Sequence, residues 1–431
     1  MIRHPESATE PGADIRAIAS GGPRPLASYS EAFVAGDLVF AAGQLASDFT
    51  TGIPSEARRH ESFPFYGSDI EAQAEYILRN LARTFEAAGS SLAQVVKAQV
   101  FLTDLQYFHG FDTVWKRHFA VPPPRTTIGC TGLLVKDTLV EIDLIGAVPG
   151  RTHEVVTSAA PRPLANYSEA FRVGDLVFAA GQLASDFATG VPAAARTHPS
   201  FPYYGSDIEL QTEFILENLA RTFTAAGSSL DHVVKAQVFL TDLDHFHGFD
   251  SVWKRYFTTP PPRTTIGCRG LLVRDALVEI DLIGYVPRPG LAHRVVTSSA
   301  PRPLAHYSEA FVLGPYVFAA GQIASDYVTG VPPQARRKES FPYYGSDIEL
   351  QTAYILSNLE KTLTAAGASL DRVVKAQVFL TDLRNFHGFD KVWKQWFKVP
   401  PPRTTIGCTG LLVKDTLVEI DLIALGGTPG R

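Results

Sequence analysis

The stretch VPPPRTTIGC, Val121–Cys130, returns as TPPPRTTIGC over Thr259–Cys268 and as VPPPRTTIGC over Val399–Cys408. Its arginines stand 138 residues apart (Arg125 to Arg263) and then 140 (Arg263 to Arg403), and the same steps separate PRPLASYSEAF at Pro23, PRPLANYSEAF at Pro161 and PRPLAHYSEAF at Pro301. A period this long marks a whole domain, because solenoid units run about 20 to 50 residues. The two extra residues fall where GYVPRPGLAHRVVTSSAP replaces GAVPGRTHEVVTSAAP, a junction marked by Pro and Gly. The expectation is three tandem domains over 1–150, 151–290 and 291–431, with about residues 1–12 as a flexible tail.

The 431 residues are 45% hydrophobic and 19% charged, as in ordinary globular domains with real cores. No apolar run approaches the ~20 residues that span a bilayer, and the opening MIRHPESATEPGADIR lacks the apolar segment of a secretory signal. A cytoplasmic protein with no membrane partner is expected. The net charge of −5 offers no general attraction for a phosphate backbone, so no nucleic-acid partner is expected either. Three cysteines, one per repeat, do not make a disulfide framework.

Within the first repeat, DLVFAAGQLA reads as a strand. A helix follows, capped by Ser68 with Glu71 completing a capping box. Its apolar positions Ile70, Ala74, Ile77, Leu78, Leu81 and Phe85 recur at helical spacing until Gly89 stops it. VVKAQVFL is a second strand. A shorter helix over about 105–119 lines up Phe108, Phe111, Trp115 and Phe119, and the prolines end it. Strands from Arg125 and over 139–145 complete an α+β unit, a mixed sheet with two helices on one face.

In TLVEIDLIG, Val140, Ile142 and Leu144 alternate with Glu141 and Asp143, so the apolar set faces the helices and the acids face away. If Ile128 also faces the helices and no bulge intervenes, Arg125 emerges on the polar face beside Glu141. Such a face is solvated in an isolated domain. Three copies in one chain instead point to a closed ring whose clefts lie between domains, where small-molecule sites are often found. The arginine is then either a structural ion pair or an anion anchor near a water-positioning acid.

YSEAF, AAGQLASD followed by TG, the helix ending in AAGSSL, VVKAQVFLTDL, PPPRTT and LVEIDLIG occur in this order three times. The ordered set resembles the Rid family, the reactive intermediate deaminases or YjgF-type proteins. The resemblance implies a chorismate-mutase-like α+β domain that forms trimers with sites between subunits, here fused into a single-chain pseudo-trimer that is monomeric as a chain. It implies hydrolysis of enamines and imines such as 2-aminoacrylate to 2-oxo acids and ammonia, without metal or cofactor. By the same resemblance, Arg125, Arg263 and Arg403 grip the carboxylate of a small-molecule substrate. Glu141, Glu279 and Glu419 handle the hydrolytic water, Tyr29, Tyr167 and Tyr307 line the pocket, and Gly43, Gly181 and Gly321 form part of it. The chemistry suits these side chains: Arg meets a carboxylate with a planar fork, Glu holds a water, and Tyr donates a proton.

The sequence departs from the family where Asp112, Asp250 and Asp390 replace a frequent Asn, and where Thr127, Thr265 and Thr405 replace a frequent Cys. An inserted loop, SEARRHESFPFYGSD, either covers the pocket or packs locally. His109, His247 and His387 read as helix-start or packing residues, since no second ligand stands at metal spacing. Cys130, Cys268 and Cys408 read as buried small hydrophobes. Tyr29 is equally suited to a structural hydrogen bond. Beside the deaminase stand two other readings, a repurposed enzyme of a biosynthetic or catabolic pathway and a non-catalytic small-acid binding module, because fold does not dictate function.

Overall fold

The computed structural model describes residues 14–426, and the expected N-terminal tail lies outside them. Repeat one runs β1 (Ile15–Ile18), β2 (Ala32–Ala35), β3 (Leu38–Ala41), β4 (Gln44–Leu45), α1 (Asp69–Ala87), β5 (Val95–Leu102), α2 (Phe108–His118), β6 (Arg125–Gly129), β7 (Gly132–Leu133) and β8 (Val140–Ala147). Repeats two and three follow the same order, opening on His153–Val156 and His293–Val296. The segment expected as one strand breaks between β3 and β4 at Ala42–Gly43. Ser68 makes the capping box with Glu71, while Ser206 and Ser346 cap through no side-chain bond. Among the described residues no helix is long and apolar enough to cross a membrane.

The sheet order is β1-β2-β3-β8-β5-β6, with β4 on β8. Only β5 and β6 run parallel. The edge of β6 is closed by another repeat: Gly270–Leu271 of repeat two pairs with Gly129 and Ile128. In turn Gly410–Leu411 of repeat three closes the sheet of repeat two, and β7 closes that of repeat three. The cycle is complete, and each β6-type edge is satisfied by a neighbour rather than by water.

Val140, Ile142 and Leu144 pack with Val100, Leu102, Phe111 and Trp115 beneath the two helices, and Phe111, Trp115 and Phe119 form a ladder with centroid separations of 5.5 and 4.3 Å. The face assigned to Ile128 needs correction. In the register, Ile128 and Glu141 both stand opposite Phe101, and Arg125 stands opposite Ala98, itself opposite Leu144. Residues directly opposite share a face, so Ile128 lies on the side away from the helices and Arg125 on the helix side. The reason is that both faces are buried: Ile128, Phe101 and Cys130 belong to a core shared with repeat two, and an apolar residue therefore does not report which face meets the helices.

The inner faces of the three sheets meet around a common axis. Phe33, Phe40, Val96 and Ile145 join their counterparts from the other repeats in one apolar cluster. Val96 reaches it because the register slips between Val95 and Lys97, a bulge that turns one extra residue. Beside this cluster, Lys97 pairs with Asp281 at 2.7 Å, Lys235 with Asp421 at 2.5 Å and Lys375 with Asp143 at 2.6 Å, every one buried. Gln99 donates to Gln237, Gln237 to Gln377 and Gln377 back to Gln99, closing a ring of three side chains. Thr126, Thr264 and Thr404 donate to Asp281, Asp421 and Asp143. Each of these bonds crosses between repeats, and the cluster encloses a cavity of 40 Å³.

Removing one partner of a buried ion pair leaves an uncompensated charge, at a cost of about 3–5 kcal/mol. Asp143→Ala is therefore expected to lower the thermal midpoint clearly in calorimetry. The paired change Asp143→Leu with Lys375→Met should restore most of the loss. An Asp143→Ala protein melting with the wild type would show that the axial pairs are dispensable.

Candidate active site

Because Arg125 and Glu141 sit on opposite faces of one sheet, neither can meet the other within a repeat. Each finds its complement across a boundary. Arg403 and Thr405 of repeat three line a 250 Å³ cleft with Tyr29, Gly43 and Glu141 of repeat one. Arg263 and Thr265 of repeat two line one of 300 Å³ with Tyr307, Gly321 and Glu419 of repeat three. Arg125 has the Tyr167 ring 5.7 Å away and lies close enough to Glu279 to favour its ionisation. The residues expected from sequence thus come together, with arginine and glutamate drawn from different repeats.

The arginine is held in an aromatic cage. The guanidinium carbon of Arg403 lies 5.4, 5.1 and 5.2 Å from the ring centres of Phe386, Phe389 and Trp393 in its own repeat, and 5.8 Å from Tyr29. Cation–π contacts fix the group without using its N–H donors. The α2-type helix also supplies an ion pair, with Nη2 donating to Asp112 at 2.8 Å in Arg125, and at 2.9 Å to Asp250 in Arg263 and to Asp390 in Arg403. Lys254 and Lys394 reach the second oxygen of Asp250 and Asp390 at 2.8 and 3.0 Å. Burial opposes ionisation of these two aspartates, but Arg and Lys together outweigh it and hold each below the ordinary carboxylate range. The ion pair expected as one alternative therefore exists, made with the aspartate and not the glutamate. Among the described residues, Nη1 and Nε of Arg263 and Arg403 remain without a hydrogen-bond partner in buried surroundings.

Glu141, Glu279 and Glu419 are buried, and each has a pKa raised to about 8. Burial is the main cause and the neighbouring Asp143, Asp281 or Asp421 adds to it. A backbone N–H from Thr405, Thr127 or Thr265 and the nearby lysine and arginine pull the other way. At neutral pH these groups are mostly protonated and can give up a proton. Among the described residues, Oε2 of Glu141 and of Glu279 has no hydrogen-bond partner.

The three glycines make room for these acids. A Cβ at Gly43, Gly181 or Gly321 would stand 2.1 Å from Oε1 of Glu141, Glu279 or Glu419, and 2.8 Å from a threonine hydroxyl of another repeat. Burial also pushes the hydroxyls of Tyr29, Tyr167 and Tyr307 well above their ordinary range, so each stays a neutral donor.

Other residues distribute as follows. His247 and His387 are the exposed second residues of their helices, as the helix-start alternative has it, and they also line the two clefts. The cysteines are buried, and that pushes their thiols up to about 12. In the inserted loop, Phe63 packs on His60 and Tyr66, while Phe65 and Tyr66 stay more than nine-tenths exposed. Sequence reasoning missed Leu26, Phe49, Leu134 and Val135, which line the first cleft. Nothing in their spacing marks them, because they come from loops.

These features define a class: Rid-type α+β domains, three to a chain, with clefts that combine an arginine of one domain and an acid of another. The chain belongs to the endoribonuclease L-PSP family, which matches residues 20–148, 157–286 and 297–426. Single repeats are similar to short relatives. A RutC family protein of Saccharolobus solfataricus is 34% identical over 129 residues, 30% of this chain and 94% of the relative. A RutC family protein of Sulfurisphaera tokodaii is 36% identical over the same shares. At the level of fold, a chorismatase crystal structure aligns with a TM-score of 0.50 at 14% identity, covering 77% of this chain and 93% of that one.

A carboxyl whose pKa is raised by folding binds its proton more tightly in the native state. Its penalty is absent below its unfolded pKa near 4.5 and grows as pH rises toward the folded value of about 8. Replacing Glu141, Glu279 and Glu419 together by Gln should flatten the decline of the thermal midpoint between pH 5 and pH 9. An unchanged slope in the triple variant would place the acids in a more polar setting.

Proposed function

We propose that this chain hydrolyses enamines and imines that carry a carboxylate, releasing a 2-oxo acid and ammonia. The observation that carries the reading is the meeting, in one enclosed cleft, of a caged arginine with an unpartnered Nη1 and a glutamic acid with a pKa of about 8. Family membership supports the same class of chemistry. The acidic net charge and the enclosure of the arginines speak against a phosphate backbone as substrate.

In the cleft of Arg403, the substrate carboxylate docks on Nη1, which positions C2 toward Glu141. With 2-aminoacrylate, Glu141 gives its proton to the terminal carbon as the C=C pair forms that bond, leaving C=N⁺. The Glu141 carboxylate then takes a proton from water while the water oxygen bonds to C2. A proton passes from the acid to nitrogen, the C–N bond breaks with its electrons leaving on ammonia, and the hydroxyl returns its proton to the Glu141 carboxylate as C=O forms, restoring the acid. The Tyr29 hydroxyl, held neutral by burial, hydrogen-bonds the nitrogen during this exchange. Gly43 keeps Glu141 close to the reacting carbon, and Asp390 holds the guanidinium in register.

With 2-aminoacrylate generated in situ, micromolar protein should accelerate ammonia release over buffer. Arg125, Arg263 and Arg403 all replaced by Lys, which keeps the charge but loses the fork, should reduce kcat/KM at least tenfold while leaving the fold intact by circular dichroism. Arg→Ala is the poorer probe, because it strands the aspartate. No acceleration across a panel of imino acids, with 2-oxo acids still bound, would favour the small-acid binding module.

The assembly is part of the same proposal. Closure of each β6-type edge by another repeat of the same chain predicts a monomer by native mass spectrometry. A stable trimer of chains would overturn the single-chain ring.

A further inference from the structure

The three clefts are not chemically alike. The turn that follows each Ser-Asp pair sets one aromatic residue in the left-handed region, at Phe49 (φ 55°), Phe187 (φ 54°) and Tyr327 (φ 57°). The third turn is held by Asp326, whose Oδ1 accepts from the N–H groups of Val328 at 2.8 Å and Thr329 at 2.7 Å. Its Oδ2 accepts from the Thr329 hydroxyl at 2.6 Å. Ser325 Oγ accepts from the Tyr327 N–H at 2.9 Å. Asp48 and Asp186 build the same turn in the other repeats. The backbone is thus common to the three positions, and the chemical difference is one hydroxyl.

That hydroxyl lies in the site. Tyr327 lines the 300 Å³ cleft with Arg263, Tyr307 and Glu419, as Phe49 lines the 250 Å³ cleft with Arg403, Tyr29 and Glu141. Tyr327 Oη stands 2.9 Å from Tyr307 Oη. Two hydroxyls in contact share one hydrogen bond and leave a second O–H and free lone pairs for a third group. At the matching turn positions Phe49 and Phe187 carry no hydroxyl to meet a polar substituent.

We propose that Tyr327 makes the cleft of Arg263 and Glu419 selective for carboxylate substrates whose side chain carries a hydroxyl or carbonyl group, while the clefts containing Phe49 and Phe187 take apolar side chains. The proposal rests on the carboxylate-site reading above. It divides the chain into two specificities on one catalytic arrangement, through a residue outside the arginine, glutamate and tyrosine expected from sequence. A neutral hydrogen bond made to one ligand and not its analogue amounts to about a three- to tenfold preference.

The test uses crystals of the full chain soaked at graded concentrations of 2-oxobutyrate or 4-hydroxy-2-oxobutyrate, with occupancy refined at each arginine and the affinities checked by calorimetry. The expected result is that the hydroxylated acid fills the Arg263 cleft at three- to tenfold lower concentration than the other two clefts, a preference that 2-oxobutyrate does not show. Tyr327→Phe should erase the difference, and Phe187→Tyr should create it at Arg125. Even occupancy of all clefts by both acids, or a preference that survives Tyr327→Phe, would overturn this inference and leave the carboxylate site standing. Failure of both acids to reach any arginine would overturn the two together.

Discussion

Each sheet carries on its inner face a lysine, a glutamine and an aspartate that its own repeat does not satisfy. Lys375 needs Asp143, Lys97 needs Asp281, Lys235 needs Asp421, and each glutamine needs the next. Buried charge without a partner is among the most costly defects a fold can contain. The polar centre therefore prescribes how the repeats sit, and nonpolar packing of Phe33, Phe40 and Ile145 around it supplies the driving force. Apolar contact alone would tolerate sliding. A ring of directed bonds does not.

Placement of the clefts follows from that closure. A strand sends alternate residues to opposite faces, so Arg125 under the second helix and Glu141 toward the axis are separated by their own sheet. Only when a neighbouring repeat presents its inner face do a guanidinium and a carboxyl share a cavity. The same closure tunes their chemistry. Exclusion of water lifts Glu141 to a pKa of about 8, while the aromatic cage and Asp390 hold the arginine without exhausting its donors. The likeness to a chorismatase structure extends to the fold alone, and a fold does not dictate function.

Aspartate at 112, 250 and 390 gives this chain a site of its own character. It neutralises part of the arginine's charge, and in two clefts a lysine restores it. In the third, Asn166 donates its side-chain amide to Asp112 at 2.6 Å, and its backbone carbonyl accepts from Arg125 at 3.4 Å. Of residues 28, 166 and 306, Asn166 reaches the aspartate with its side chain, whereas Ser28 meets Asp390 through its backbone N–H and the His306 ring bonds the Phe257 carbonyl. Copies that share a backbone have diverged in the side chains around the arginine.

Much of this is legible in the sequence alone. The triplication, the helix that Ser68 caps, the strand VVKAQVFL and the alternation in LVEIDLIG all depend on neighbours within a few residues, and local pattern reports them. The arginine, glutamate, tyrosine and glycine of each cleft were legible by resemblance, though not their pairing. Four features belonged to the tertiary structure alone. Strands β1 and β2 are four residues each, too short for a period to stand out. The exchanged strand β7 is two residues long and exists because a partner edge is there. Ile128 turns from the helices because a second apolar core lies on the other side. Asp112 meets Arg125 only once a helix and a strand that are 13 residues apart at these positions are packed together. Sequence determined what each repeat would become; long-range packing decided which repeat's acid each arginine would face, since a side chain's neighbour across a boundary leaves no trace in the spacing of its own strand.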